Sequence, residues 1–263
     1  MKSLFRKLFD THSYVPSSAR LILVSHDISS PSDATYSKGN STPPELFERQ
    51  LSFLQEKFQF VSLPELLRSE SPEPLAALTF DDGFLTVKTR AASILSARLI
   101  PFSIFCNGKA VAEQRLDYGS EYEPLDFSRT RFYLNESELK ELHKNGVGIG
   151  SHGLTHQPLG SLGAESLKQE IAENKRYLEN LLGSAVTNFA FPFGKPRHIS
   201  EAAIRVCQEA GHSRLFSALP SYVPRNKLEL PETLIPRVSL HMQSEADLNV
   251  LLNRMAIKEV AGI

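Results

Sequence analysis

The chain has 263 residues, 41% hydrophobic and 22% charged, with a formal net charge of −1 and an isoelectric point near 6.7. That balance supports a buried core and excludes the bulk positive field of a nucleic-acid-binding protein. The two cysteines, Cys106 and Cys207, lie far apart and form neither a zinc-knuckle spacing nor a disulfide framework, so a reducing compartment is expected.

Residues 1–19 read as an N-terminal extension. Leu4, Phe5, Leu8 and Phe9 share one face of a short basic amphipathic helix, suited to packing on the domain or to weak contact with a membrane surface. This run is too short for the apolar core of a secretory signal. No apolar segment is long enough to span a bilayer, and the expected location is cytoplasmic.

Residues 20–263 read as one domain. Leu21–Val24 is a buried strand ending at His26-Asp27, and residues 28–44 are a Ser/Pro/Thr/Gly-rich loop. Leu46, Phe47, Leu51, Leu54 and Phe58 mark a helix, followed by a short strand at Phe58–Val61 and a short helix from Pro64. The apolar run Leu75–Leu78 leads into Thr79-Phe80-Asp81-Asp82-Gly83, a strand that stops at paired acids. A helix over 86–99 and the strand Phe102–Phe105 come next. The stretch Cys106–Leu134, dotted with Tyr118, Tyr122, Phe127, Phe132 and Tyr133, reads as a long loop, a candidate lid or sugar platform.

Asn135 caps a further helix stopped by Gly146, and Val147–Gly150 is a strand running into Ser151-His152-Gly153-Leu154-Thr155-His156. A long helix spans about 163–182, Asn188–Phe191 is a strand, and Ser200 caps a helix to Ala210. Leu215-Phe216 and Leu234–Leu240 are the last strands, and an amphipathic helix over 245–257 closes the chain. Alternating strands and helices argue for a parallel sheet wrapped by helices. Every polar cluster follows a strand, where barrel enzymes place their chemistry. The expected fold is an α/β class, irregular (β/α)7 TIM-like barrel.

Two adjacent carboxylates repel unless a cation or a shared proton relieves them. His152 and His156 offer the remaining ligands. Neither pair identifies a metal site alone, but each closes a strand at the same rim. Two imidazoles and one carboxylate suit Zn²⁺ or a related divalent first-row ion with an open position for water. The second carboxylate can then take a proton from that water.

TFDDG, SHGLTH and FPFG, in this order and spacing, resemble the polysaccharide deacetylase family, the NodB-homology group of carbohydrate esterase family four. A strand ending at His26, then helix-strand-helix in PELFERQLSFLQEKFQFVSLPELL, extends the resemblance from about Leu21 to the final helix. It implies Asp81 as general base, Asp82, His152 and His156 as metal ligands, and the Pro192-Phe193 turn as the source of an oxyanion-binding backbone N–H. Ala190 stands where the family's motif has arginine, and Arg237 on the last strand is the candidate replacement. Gly153 stands where a Ser or Thr usually follows the first histidine, and the chain has no tryptophan. For the proton to the leaving amine, His241 matches a late LxH motif with Ser239 in the leucine place, and His26 is its rival. His12, His143, His198 and His212 read as solvated, and the cysteines as small buried groups.

The expected activity is metal-dependent removal of an N-acetyl or other N-acyl group from an amino sugar of a glycan or glycan precursor, by attack of metal-bound water. Two alternatives stand beside it: an amidase or deformylase acting on a non-sugar amide or imide with the same site, and a catalytically silent glycan-binding barrel. No nucleic-acid partner is expected.

Overall fold

The computed structural model describes residues 14–116, 130–224 and 234–261. Six parallel strands lie side by side: β1 (Arg20–Ser25), β3 (Leu75–Phe80), β4 (Phe102–Cys106), β5 (Gly148–Ser151), β6 (Asn188–Ala190) and β7 (Arg214–Phe216). The expected last strand is split in two. β8 (Leu234–Ile235) pairs with β7, Pro236 and Arg237 intervene, and β9 (Val238–Ser239) pairs with β1. Proline has no N–H to extend the ladder on β7, and the break lets one segment serve both edges of the sheet. A short β2 (Gln59–Phe60) adds to the start of β3. The fold is the irregular (β/α)7 barrel, α/β in class.

Period-two alternation on β3 shows how the strands sort their side chains. Ala76, Leu78 and Phe80 pack outward under the helices, while Leu75 and Ala77 join Ile22, Phe105, Ala190, Phe216 and Ile235 in a separate interior cluster. Continuing the inward series past Ala77 gives Thr79 and then Asp81, so the interior turns polar toward the C-terminal ends of the strands. Gly150 makes this packing possible: a Cβ there would sit 2.5 Å from the Phe105 ring. At the opposite end, buried Arg20 donates to the carbonyls of Ser18, Ala19, Ser69, Ser71 and Glu73.

The helices are α1 (Pro44–Gln55), α2 (Leu63–Arg68), α3 (Ala92–Ala97), α4 (Gly108–Glu113), α5 (Glu136–Lys144), α6 (Ala164–Lys168), α7 (Asn174–Leu182), α8 (Glu201–Glu209) and α9 (Glu245–Ala261). Caps predicted from sequence do form. Asn135 and Glu138 make a reciprocal capping box on α5, and the Ser200 hydroxyl accepts the Ala203 N–H on α8. The expected helix over 163–182 is interrupted by a π-helical turn, Gln169–Glu173, and another such turn, Val87–Ala91, precedes α3. Among the described residues no helix is long and apolar enough to cross a membrane.

The stretch read as a long loop after Cys106 holds α4, and its end is core. Phe132 and Tyr133 are buried, with Tyr133 stacked on Phe84 at 5.3 Å between centroids. Residues 117–129, the middle of the stretch expected to form a lid or sugar platform, lie outside the described residues, as do residues 1–13, where an amphipathic helix was expected, and His12. Two histidines expected to be solvated are buried. His198 packs against Phe193 and His212 against Phe189, because the turns carrying them fold back onto aromatic faces.

Candidate active site and metal centre

Asp82, His152 and His156 meet at the C-terminal rim, their ligand atoms all within 4.8 Å of one another. Asp82 Oδ1 is 3.5 Å from His152 Nε2 and 3.3 Å from His156 Nε2. Ligands bonded at about 2.0–2.1 Å around a tetrahedral ion are about 3.3 Å apart, so the spacing suits a first-row divalent ion. The chemistry of the donors fits too. His152 Nδ1 lies 2.8 Å from the Ala190 carbonyl, which can only accept, so Nδ1 carries the proton and Nε2 presents its lone pair. Burial pushes the pKa of both histidines down, leaving neutral imidazoles, the form that binds metal.

Backbone geometry explains how this triad emerges from strand ends. Asp82, His156 and Phe193 have left-handed φ values of 69°, 62° and 61°. Non-glycine residues hold that conformation only where the surroundings enforce it, and such residues gather at functional sites. At Asp82 the reversal ends the β3 alternation, so Asp81 continues into the barrel while Asp82 faces the histidines.

Asp81 pairs with Arg237. The guanidinium fork donates to both carboxylate oxygens at 2.7 Å, with further bonds to the Ser217 carbonyl and the Thr79 hydroxyl. Its carbon lies 5.1 Å from the Phe105 ring centroid, so the interior aromatic layer forms the floor. Burial alone would raise the Asp81 pKa; Arg237, with His152, overrules it and holds the carboxyl well below the usual carboxylate range. Ala190 lies in the interior cluster, and the cation beside Asp81 comes from the break between β8 and β9 instead.

The sequence model of the family "Polysaccharide deacetylase" matches residues 68–215, more than half of the chain and the whole span from Asp81 to Phe193. The chain belongs to the polysaccharide deacetylase family. It is 24% identical over 214 residues to YxkH of Bacillus subtilis (strain 168), named for the same family, covering 78% of this chain and 67% of YxkH. Solved structures of similar fold include the Streptococcus pyogenes deacetylase PplD in complex with acetate (TM-score 0.66, 19% identity, 90% of this chain and 97% of that one). IcaB from Ammonifex degensii is another (TM-score 0.67, 20% identity, 92% and 100%). Polysaccharide deacetylases hydrolyse amide bonds, and this chain is a hydrolase of that kind. The family is metal-dependent, and its name implies an acetylated polysaccharide as the substrate class.

In this polysaccharide deacetylase the rim encloses a cleft of about 210 Å³ lined by both aspartates, His152, His156, Arg237, Phe193, His26 and His241. Wider depressions of about 400 and 490 Å³ lie elsewhere on the surface, without Asp82, His152 or His156 in their walls. Pro192 is buried beside the turn, and the Phe193 ring packs on His156 at 4.6 Å. His241 is half-buried, its Nε2 held 3.0 Å from the Lys38 carbonyl, and burial lowers its pKa. His26 sits deeper, and burial lowers it to about 4 against the opposing pull of Asp81. Both cysteines are buried free thiols whose pKa burial raises, so neither is a nucleophile.

Four supporting residues went unread in the sequence. Asn107 donates to the carbonyls of His152 and Gly153, and Asn174 to the Cys106 carbonyl and Ser151 hydroxyl, tying together the loops after β4 and β5. Buried Asp27 accepts the hydroxyls of Ser29, Ser41 and Thr86, while its backbone bonds to Asn40 and Thr42. Glu170 holds Thr155. Strand-end position could have singled out Asn107 and Asp27; nothing local marks Asn174 or Glu170.

Proposed function

We propose that this chain removes an N-acetyl group from an amino sugar of a glycan or glycan precursor, with Asp81 as the general base. The observation that carries the reading is the buried Arg237–Asp81 fork set directly beside the Asp82-His152-His156 triad. Two neighbouring carboxylates thereby take different work: Asp82 joins the ligand set, and Asp81 stays ionised and aimed.

Asp82, His152 and His156 would hold a divalent ion, Zn²⁺ by donor type. When bound, it polarises the scissile carbonyl and makes nearby water more acidic. Asp81 accepts a proton from the attacking water as its oxygen bonds to the carbonyl carbon. Arg237 keeps the carboxylate in one orientation through two parallel hydrogen bonds. The Pro192-Phe193 turn brings backbone to the cleft wall, where the Phe193 N–H faces the developing oxyanion in this reading. As the C–N bond breaks, His241 in its protonated form, the minor one near pH 7 because burial lowers its pKa, gives a proton to the leaving amine, and acetate and the free amino sugar result. His26, lowered to about 4 and so neutral near pH 7, serves as a substrate contact.

The test is acetate release from N-acetylated glucosamine oligomers, run beside a panel of small amides. Acetate from the sugars is expected; turnover of the small amides alone would overturn the substrate class. Asp81→Asn is expected to bind metal like the parent and to lose about 10²–10⁴-fold in turnover. Undiminished turnover in that variant removes Asp81 as the base.

A further inference from the structure

The loop bearing the second histidine makes two reversals within four residues, with φ of +78° at Gly153 and +62° at His156. Something must hold it, and the residue beneath it is Glu170. This glutamate is buried on the π-helical turn between α6 and α7. Its Oε2 accepts the Thr155 backbone N–H at 2.9 Å, its Oε1 accepts the Thr155 hydroxyl, and its main-chain carbonyl accepts the Leu154 N–H at 2.9 Å. A Cβ built on Gly153 would stand 3.1 Å from Glu170 Oε2, so the carboxylate packs close against the loop at 153 as well as at 155.

The π-turn explains how Glu170 reaches there. An i→i+5 turn adds a residue to the helix and rotates the positions around it, and such turns concentrate at functional sites. This one directs Glu170 to the loop after β5. Directly after it, Asn174 bonds to Ser151 and to the carbonyl that ends β4. Both residues bond the segment that carries the two histidines.

We propose that Glu170 is a positioning residue for the metal centre: through Thr155 it fixes the turn that aims His156, and so sets metal affinity and coordination geometry. The proposal rests on the reading of Asp82, His152 and His156 as ligands. It goes beyond that reading in assigning a residue fourteen positions past His156, on a helix, to the performance of the site.

The experiment uses metal-stripped full-length protein, titrated with Zn²⁺ in competition with a chromophoric chelator and with Co²⁺ for its visible absorption. Parent protein, His156→Ala, Glu170→Gln and Thr155→Val are compared, with far-UV circular dichroism on each. Glu170→Gln keeps shape but cannot accept both Thr155 donors, and Thr155→Val removes only the hydroxyl. The expected result is about a 10–100-fold loss of Zn²⁺ affinity for Glu170→Gln, a smaller loss for Thr155→Val, and an altered Co²⁺ spectrum in both, with unchanged circular dichroism. If His156→Ala loses metal while Thr155→Val and any folded Glu170→Gln bind within twofold of the parent with the parent spectrum, the positioning role is overturned and the ligand set stands. If His156→Ala binds like the parent, the ligand reading fails and takes the proposal with it. Should Glu170→Gln not fold, Thr155→Val decides by the same two criteria.

Discussion

Asp81 and Asp82 are consecutive, and what separates them is one backbone dihedral and one arginine. Asp81 keeps the extended strand's inward direction and meets Arg237; Asp82, at φ 69°, turns to His152 and His156. Removing Arg237 would leave a buried carboxylate without its cation, a change that costs about 3–5 kcal/mol where one partner of a buried pair is deleted. Arg237→Ala is therefore expected to lower both stability and turnover, which confounds the two. Arg237→Lys separates them. It keeps the charge but not the fork that locks both carboxylate oxygens, so denaturation midpoints should move less than in the alanine variant, while kcat falls about 10²-fold, the scale of a small misplacement of a catalytic group. Full activity in Arg237→Lys, with metal bound, would show that orientation of Asp81 is not what Arg237 contributes.

Elements around the cleft differ in how they are held. The loop over 28–43 supplies Gly39 and Asn40 to the cleft wall and the Lys38 carbonyl to His241, and it is pinned by Asp27. Burial pushes the Asp27 pKa up, against the three hydroxyls that favour its charged form. Thr86→Val deletes the hydroxyl that bridges Asp27 Oδ1 and the Ile28 N–H. Hydrogen bonds to a charged group contribute about 1.5–3 kcal/mol, and a loss of that order in urea unfolding is expected. With the wall loosened, KM should rise more than kcat falls, and metal affinity should not change; an unchanged KM would disconnect the loop from substrate binding. The hydroxyls of this network were visible only as loop composition, because Ser, Thr and Pro punctuate many loops that bind nothing. The strand-end acids and histidines were legible because chain position alone brings them to one rim. Glu170 was not: a glutamate in a helical run looks solvent-facing until an extra residue in the turn rotates it inward. The split last strand was hidden for a related reason, since Leu234–Leu240 reads as one strand and only pairing shows that its halves serve different neighbours.

Across the whole molecule, buried histidines set the acid side of stability. His212 lies under the Phe189 ring, with centroids 5.1 Å apart, and burial, with Lys175 nearby, lowers its pKa from the usual 6.5 to about 3. His26 is lowered to about 4. A lowered histidine pKa means that the unfolded chain binds the proton more readily than the fold does. Stability is therefore complete above about pH 6.5 and falls as the pH drops toward the folded values. Asp33, lowered to about 2 by hydrogen bonds from Arg90, and Asp81 act in the same direction but only below about pH 4. Between pH 6.5 and 4.5 the destabilising proton uptake therefore belongs to the histidines, with Asp27, whose pKa burial raises, opposing them. His212 isolates their effect, because it sits away from the cleft and its replacement leaves the ligand set alone. At about 1.4 kcal/mol per unit of displacement, His212 should cost on the order of 2 kcal/mol between pH 6.5 and 4.5. His212→Phe is expected to shrink the fall in unfolding free energy over that interval by this amount, whatever it does to stability at pH 7. Chemical denaturation of both proteins at pH 7 and 4.5 gives the comparison, and equal falls would mean that the buried ring is protonated within the fold.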